Sequence, residues 1–374
     1  MQNSNNLGKS REIYPDTPEE IKPDEPKRVK DPRQLTRRKN FRPIIMCLAI
    51  VLFAVGNLSA DLEGEISLGL GYSDNVFQLS DYDLQRFDDK HPNLEYVETS
   101  DDLTLSTRIN LAYPMHYRWW KFTPSVSGTI NQNVSNTDKK RTDTLLRFRV
   151  DRYHWSLTTL YGYYPYIYYR HFNDNDGSDE LEKYSYERNL YRAELVVRPL
   201  KKVTAFGNIR YEDLYYNQYF TEADGHALTT ELGARYSFPA FSVQGSYSFK
   251  NYEADGYKDI GADDGSYQSN TYRGVLRLKM MPIVGTSTKQ TGWQPYLELK
   301  REDRFYQGES SWYGGREYAT TNTKAGVNVK LSPNWNLSLD YLHIFRNVDS
   351  PNESVLRLKE FSENKLSATV KYKF

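Results

Sequence analysis

The sequence predicts an all-β fold: a transmembrane, antiparallel, up-and-down β-barrel of about fourteen strands, behind an N-terminal signal segment. Three observations point there. Apolar and polar residues alternate along segment after segment, as side chains do on a strand with one greasy and one wet face. The connections between these segments alternate long and short. Large aromatics gather at both ends of the faces that the alternation turns outward.

Bulk composition alone looks soluble, with 26% charged residues, 38% hydrophobic residues and a formal net charge of zero. Mean hydropathy is -0.76. No apolar run reaches the ~18 residues that a helical span requires. A barrel escapes that test because lumen-facing residues dilute the lipid-facing ones. Tyr, at 32 residues, and aromatics, at 14%, are high for an ordinary soluble enzyme, and the one cysteine, Cys47, rules out disulfides within the chain.

Residues 1–40 are polar and Pro-rich, with acids early and Arg37, Arg38, Lys39 and Arg42 late, a composition that builds no core. Ile44 to Val55 is an apolar run of signal-peptide length, followed by Gly56-Asn57-Leu58-Ser59-Ala60. It is too short to span comfortably. Cys47 lacks the small residues before it that a lipoprotein site needs. Residues 1–60 therefore read as a polar leader plus signal peptide with its apolar core at 44–55, and 61–374 as the barrel.

Strand segments start near residues 62, 102, 121, 143, 155, 184, 203, 227, 241, 268, 293, 319, 335 and 363. Leu103, Leu105, Thr107, Ile109, Leu111 and Tyr113 face one way, while Thr104, Ser106, Arg108 and Asn110 face the other. The same pattern runs through Leu228 to Phe238, and resumes at Phe241 after the tight Pro239-Ala240 turn. Trp335, Leu337, Leu339 and Tyr341 follow the turn Ser332-Pro333-Asn334. Connections near 78–101, 135–142, 171–183, 217–226, 253–267, 306–318 and 347–362 are longer and polar. Those near 114–120, 151–154, 198–202, 239–240 and 332–334 are short, and 282–291 is long for its class. A barrel with one short-turn rim and one long-loop rim needs this alternation.

Trp155, Trp293, Trp335 and Phe374 are the expected membrane-interface anchors of the short-turn rim, with Phe122, Phe238 and Phe241 at the same level. Tyr72, Tyr169, Tyr215, Phe249, Phe305 and Phe345 fall at the other rim. A soluble sandwich also alternates, but it does not need large aromatics at both ends of its outward faces. In lipid, only closure satisfies every backbone group.

Parity turns Arg108, Arg147, Arg149, Arg192, Arg210, Arg235, Arg273, Arg277 and Lys279 inward as a basic pore lining. It also turns inward Arg188, Arg198, Lys300, Arg304, Lys324, Lys330, Lys365, Lys371 and Lys373. The inward acids are fewer: Glu194, Glu212, Glu231, Glu298, Glu302 and Asp340. Such an interior concentrates anions, and the guanidinium fork suits carboxylates and phosphates. Tyr164, Tyr166, Tyr168 and Tyr296 are expected inside, where they could stack on sugar rings. The competing reading is that inward Arg and Glu pair across strands and simply fill the interior.

Two short motifs carry a family resemblance. The closing run K-L-S-A-T-V-K-Y-K-F resembles the signal that the assembly machinery of Gram-negative, porin-like outer-membrane β-barrels reads. The resemblance implies export to the outer membrane, contact with its lipid and lipopolysaccharide, and recognition by the barrel assembly machinery through Phe374. Gly71-Tyr72-Ser73-Asp74-Asn75-Val76-Phe77 resembles the G-Y-x-x-N-V-F segment of barrel porins encoded with exopolysaccharide genes, and so implies polysaccharide-related transport. Taken residue by residue, it is a strand end and an Asx-type turn with Phe77 in the outer girdle.

Enzyme chemistry has no foothold. None of the six His lies in the H-x-S-N-G context of outer-membrane phospholipases. His171 with Asp174 and Asp176 only loosely suggests an omptin-like pair, and His343 falls on the lipid side without a catalytic partner. His91, His116, His154 and His226 lack metal-ligand spacing. The acidic stretch Asp255–Asp264 lacks the ligand order of a calcium loop. No phosphate-cradling loop and no nucleic-acid surface occur. The expectation is no catalytic residue, no metal, no cofactor and no nucleic-acid partner. The expected function is an outer-membrane channel for passive passage of small anionic or saccharide solutes. The alternatives are a barrel component of exopolysaccharide or cell-envelope export, or a surface-exposed barrel enzyme or adhesin. N-terminal sequencing of the mature protein should begin at Asp61, whereas recovery of residues 1–60 would overturn the signal-peptide reading.

Overall fold

The computed structural model describes residues 62–173, 181–258, 264–282 and 291–374. The predicted leader, with its 44–55 core and cleavage point after Ala60, lies outside these residues. So do Asp174 and Asp176, residues 259–263 of the acidic stretch, and most of the 282–291 connection.

The strands are β1 (Glu63–Ser73), β2 (Asp102–Ala112), β3 (Met115–Tyr117), β4 (Trp120–Asn133), β5 (Arg141–Arg152), β6 (Trp155–Asn173), β7 (Leu181–Leu200), β8 (Val203–Tyr216), β9 (Gly225–Ser237), β10 (Phe241–Ala254), β11 (Tyr267–Leu278), β12 (Gly292–Tyr306), β13 (Glu317–Lys330), β14 (Trp335–Asp349) and β15 (Phe361–Lys373). The three-residue β3 prolongs β2 past Pro114, which has no N–H for the ladder; both pair with β4. Counted so, fourteen antiparallel strands run up and down in chain order and close where β1 pairs with β15, Ile66 opposite Tyr372 through Ser73 opposite Lys365. Gly64 and Phe374 complete the seam by exchanging both backbone bonds at 2.9 Å. The Phe374 ring covers Gly64, where an added Cβ would stand 2.2 Å from it.

The outward faces are apolar and bare. Leu232 is 72% exposed, Leu68 58% and Leu105 53%, around the whole circumference rather than in one patch. A soluble surface does not carry apolar area on that scale. On β14 the outward residues from Trp335 to Phe345 span about 33 Å along the strand, or about 25 Å of height at a typical ~40° tilt, the belt a bilayer requires. At the short-turn rim, Trp120 packs edge-on against Trp155 at 5.6 Å, Phe238 stacks on Phe241 at 4.5 Å and Trp335 lies 4.8 Å from Tyr372.

The long connections hold more order than their polar sequences suggest. Loop 1, between β1 and β2, contains α1 (Asp81–Asp88), capped by Ser80, whose hydroxyl accepts from the Asp83 N–H at 3.1 Å. The last long loop contains α2 (Glu353–Lys359), capped by Asn352. The two helices touch, and the Arg357 guanidinium lies 4.2 Å from the Tyr82 ring.

Two expectations are corrected here. Phe77 is not in the outer girdle: it is 1% exposed and packs with Leu79, Leu94, Val97 and Tyr168. The chain turns inward because the Asn75 side chain brackets 75–79, accepting from Leu79 N–H and donating to Leu79 O, both at 2.8 Å. Gln78 takes a left-handed φ of 54°. Tyr166 is not luminal either. A bulge in β6 between Tyr164 and Ile167 inserts an extra residue, so Tyr164 stays buried while Tyr166 turns outward.

Asn75 also donates to Ser362 O at 2.9 Å, which ties loop 1 to β15. At about 1 kcal/mol per bond, Asn75→Ala should loosen loop 1 by about 2–3 kcal/mol and leave the strand ladders intact. The folded variant should keep the gel mobility of an intact barrel. Limited proteolysis within 78–101 should quicken about thirty-fold or more; unchanged cleavage would contradict this role.

Candidate functional site

Strand parity decides which side chains meet inside. The last inward residue before many long loops is a tyrosine, and the cross-strand register sets these tyrosines side by side. Tyr186 faces Tyr216 with rings 4.8 Å apart. Tyr252 faces Tyr267 at 5.1 Å, and Tyr267 faces Tyr306 at 5.6 Å. Tyr306 meets Tyr318 edge-on at 5.4 Å. The result is an aromatic collar inside the long-loop rim. It surrounds a cavity of about 720 Å³, roofed partly by Trp312 and by Lys359 of α2.

Cations sit on the faces of these rings. Arg304 lies 4.2 Å from the Tyr267 centroid, and Arg346 lies 4.8 Å from Tyr318. Arg316 is 4.3 Å from Tyr306 and 4.6 Å from Tyr318. The ring quadrupole offsets part of the desolvation of each charge. Two carboxylates answer some of them: Glu212 lies 3.2 Å from Arg188 and 3.9 Å from Lys250, and Glu302 lies 2.8 Å from Arg304. Arg316, Arg346 and Lys359 have no carboxylate within ion-pair distance among the described residues. Burial, with Arg170 and Arg316 nearby, pulls the Lys359 ammonium well below the ordinary lysine range.

Of the nine basic residues expected as the pore lining, all but Lys279 lie on the wall nearer the turns, and none of the nine lines this cavity, whereas Arg188 and Arg304, also turned inward by parity, do. Arg149 pairs with Asp151 at 2.7 Å, and Arg192 contacts Glu194. Arg210 lies 3.9 Å from Glu212, and Arg273 grips Glu298 with two bonds of 2.8 Å. Arg192 and Arg210 stand directly opposite each other, a like-charge contact that the two glutamates relieve. Arg108 reaches Ser127 at 3.4 Å. Arg147 lies opposite Ser125 and Leu160, Arg235 opposite Gln244 and Thr204, and Arg277 opposite Ser242 and Tyr296. Lys279 stands past the end of β11, exposed at the turn rim rather than in the wall. Trp293, Trp335 and Phe374 are exposed on the outer face at that rim, and Trp155 is half-buried beside Trp120.

Of the tyrosines expected inside, Tyr164 lies beneath Arg188 at 3.9 Å and Tyr296 bonds Asp340. Tyr168 packs under loop 1 instead. Tyr169, expected in the outer girdle, lines the cavity. Lys250 and Arg346 follow from carrying the parity of Phe249 and Phe345 one residue further. Arg316 and Lys359 come from loops and had no periodic signal.

Loop 1 crosses the mouth from β15 to β6. Glu363, with no exposure, accepts from Ser73 at 2.5 Å and Gln78 at 3.1 Å, and pairs with Lys365 at 2.8 Å. At the far side Asp83 pairs with Arg170 at 3.3 Å, and Tyr96 stacks on His171 at 4.1 Å. Lys139, beside the entrance, donates to Val76 O at 2.9 Å beneath the Phe77 ring.

No protein-family model matches the chain, and no curated protein does. Among solved structures it is similar to an anion-selective porin from Comamonas acidovorans, with 10% identity over 84% of this chain and 99% of that one, at a TM-score of 0.43. It is also similar to the outer membrane channel DcaP of Acinetobacter baumannii, with 10% identity over 86% and 98%, at 0.48. A third similar structure is a bacterial polysaccharide outer membrane secretin, with 8% identity over 86% and 99%, at 0.45.

Burial lowers the Lys139 ammonium from 10.5 to about 7, with Lys365 and Arg170 adding repulsion against the attraction of Glu363. An opened loop 1 would return it to the ordinary value. Below pH 7 both forms hold the proton and closure carries the full burial penalty. As pH rises from about 7 toward 10.5 the closed form binds fewer protons, so closure strengthens, by at most ~1.4 kcal/mol per pH unit. Hydrogen exchange of loop 1, corrected for intrinsic rates, should show protection growing from pH 6.5 to 9, and Lys139→Met should flatten the trend. Protection that falls with pH in the native protein would contradict it.

Proposed function

We propose that the chain is an outer-membrane channel through which small anionic solutes pass by diffusion, with no covalent step. The observation that carries this reading is the pairing of two surfaces. A closed barrel presents an uninterrupted apolar belt outward, and its interior carries more guanidinium and ammonium groups than carboxylates. Asp151 pairs with Arg149, and Glu194, Glu212 and Glu298 answer Arg192, Arg210 and Arg273, while Arg108, Arg147, Arg235 and Arg277 have no carboxylate within ion-pair distance among the described residues. A low-dielectric wall around such an excess raises the local anion concentration and lowers that of cations. On this reading outer-membrane lipid and lipopolysaccharide surround the belt. Trp155, Trp293, Trp335 and Phe374 anchor its turn-side edge, Phe374 marks the chain for the assembly machinery, and residues 1–60 export it.

Export of exopolysaccharide or envelope material is the second reading, favoured by the Gly71–Phe77 segment. In this fold those residues hold loop 1 in place: Asn75 braces the turn, Ser73 bonds Glu363 and Phe77 fills the loop core. That local role accounts for them without a polysaccharide partner, so diffusion of small solutes is preferred.

In planar bilayers the purified protein should conduct, with a reversal potential on the anion-selective side. Replacing Arg273 and Arg277 together by Ser removes two inward charges and should lower the anion-to-cation permeability ratio by roughly two-fold or more. A protein that folds but does not conduct, or unchanged selectivity in the double variant, would refute the proposal.

A further inference from the structure

We propose that the vestibule contains a saturable station for polyhydroxylated carboxylates, that is, sugar acids, centred on Arg316. This deepens the channel reading and rests on it.

Arg316 is 95% buried, as its 5% exposure shows, and lines the cavity. One terminal nitrogen, Nη2, donates to the Tyr318 hydroxyl. Its Nε and Nη1 are buried with no acceptor among the described residues. A buried guanidinium with two orphan donors is destabilising unless something accepts from it. Four rings, those of Tyr306, Trp312, Tyr313 and Tyr318, lie within 6 Å of its central carbon. Their faces stabilise the charge, and the in-plane bond is the one from Nη2 to the Tyr318 hydroxyl, which leaves Nε and Nη1 unmet.

Nε and Nη1 lie on different edges of the planar group. One carboxylate gripping a single edge leaves the other donor unmet. A ligand meets both only if its oxygens are spread around the guanidinium, as a carboxylate and ring hydroxyls are on a sugar acid. The neighbouring charges select further. Arg346 spends Nε on Thr320 at 3.2 Å, and Lys359 lies over Phe172 and Trp312 without a carboxylate partner among the described residues. The repulsion between the Arg316 and Arg346 charges falls when an anion enters. The collar supplies phenolic hydroxyls for a polyol, and about 720 Å³ is within the range of small-molecule sites.

The test is block of single-channel chloride current by galacturonate added on the loop side, with glucose, acetate and inorganic phosphate as comparison solutes. Chloride current itself reports the channel, so its loss and the loss of block are separate results. Galacturonate should block in a saturating manner, at a half-blocking concentration at least ten-fold below those of the other three. With block read as the fraction of each variant's own unblocked chloride current, Arg316→Gln should raise that concentration about ten-fold or more, while Arg346→Gln should raise it less. Arg316→Lys, which keeps the charge but not the fork, should behave like Arg316→Gln if hydrogen-bond geometry matters. Non-saturating block, equal block by acetate or phosphate, or an unshifted Arg316→Gln would overturn the proposal.

Discussion

At hydrocarbon depth no water serves the backbone, so every N–H and C=O must find its partner within the chain. A sheet meets that condition only by closing. In this protein the condition rests on one seam, the pairing of β1 with β15, finished by the reciprocal bonds of Gly64 and Phe374. Once the ring is shut, parity does the rest. Residues two apart share a face, so one set of side chains faces outward and the other must live together inside. The apolar belt, the inward charges and the tyrosine collar are consequences of that single geometric rule.

Crowding charges into a closed interior creates a second problem, which the fold solves differently at its two levels. Along the wall nearer the turns, glutamates stand beside arginines, as Glu298 does with Arg273 and Glu194 with Arg192. Near the loops aromatic faces take over much of that work, and carboxylates become scarce. In the vestibule Arg316 and Arg346 stand without a carboxylate within ion-pair distance among the described residues, held by aromatic faces instead. Loop 1 and α2 cover part of that entrance. Their attachments run through groups of mixed character: the buried Glu363, the Asp83–Arg170 pair and Lys139.

Much of this could be read in the sequence because period-two patterning survives in almost every strand. The predicted start near residue 184 falls inside β7, which begins at Leu181, and the start at 335 coincides with β14. Where parity failed, the cause was local. The β6 bulge reversed Tyr166, which no pattern of apolar residues announces. Phe77 looked like a girdle residue because a strand end resembles a membrane edge, and its inward turn depends on the Asn75 side chain finding Leu79. The vestibule was only half visible. Arg188 and Arg304 lie on regular strands and follow from parity, whereas Arg316 and Lys359 reach the cavity from loops whose paths depend on tertiary contacts.

The central claim is that successive side chains of one strand alternate between hydrocarbon and an aqueous interior. Spin labels placed one at a time on residues 337–342 of β14, in a Cys47-free background and a lipid bilayer, test it directly. Labels at Leu337, Leu339 and Tyr341 should be accessible to oxygen and shielded from a water-soluble nickel complex. Those at Ser338, Asp340 and Leu342 should show the reverse. Uniform accessibility along the segment, or alternation in the opposite phase, would contradict the account.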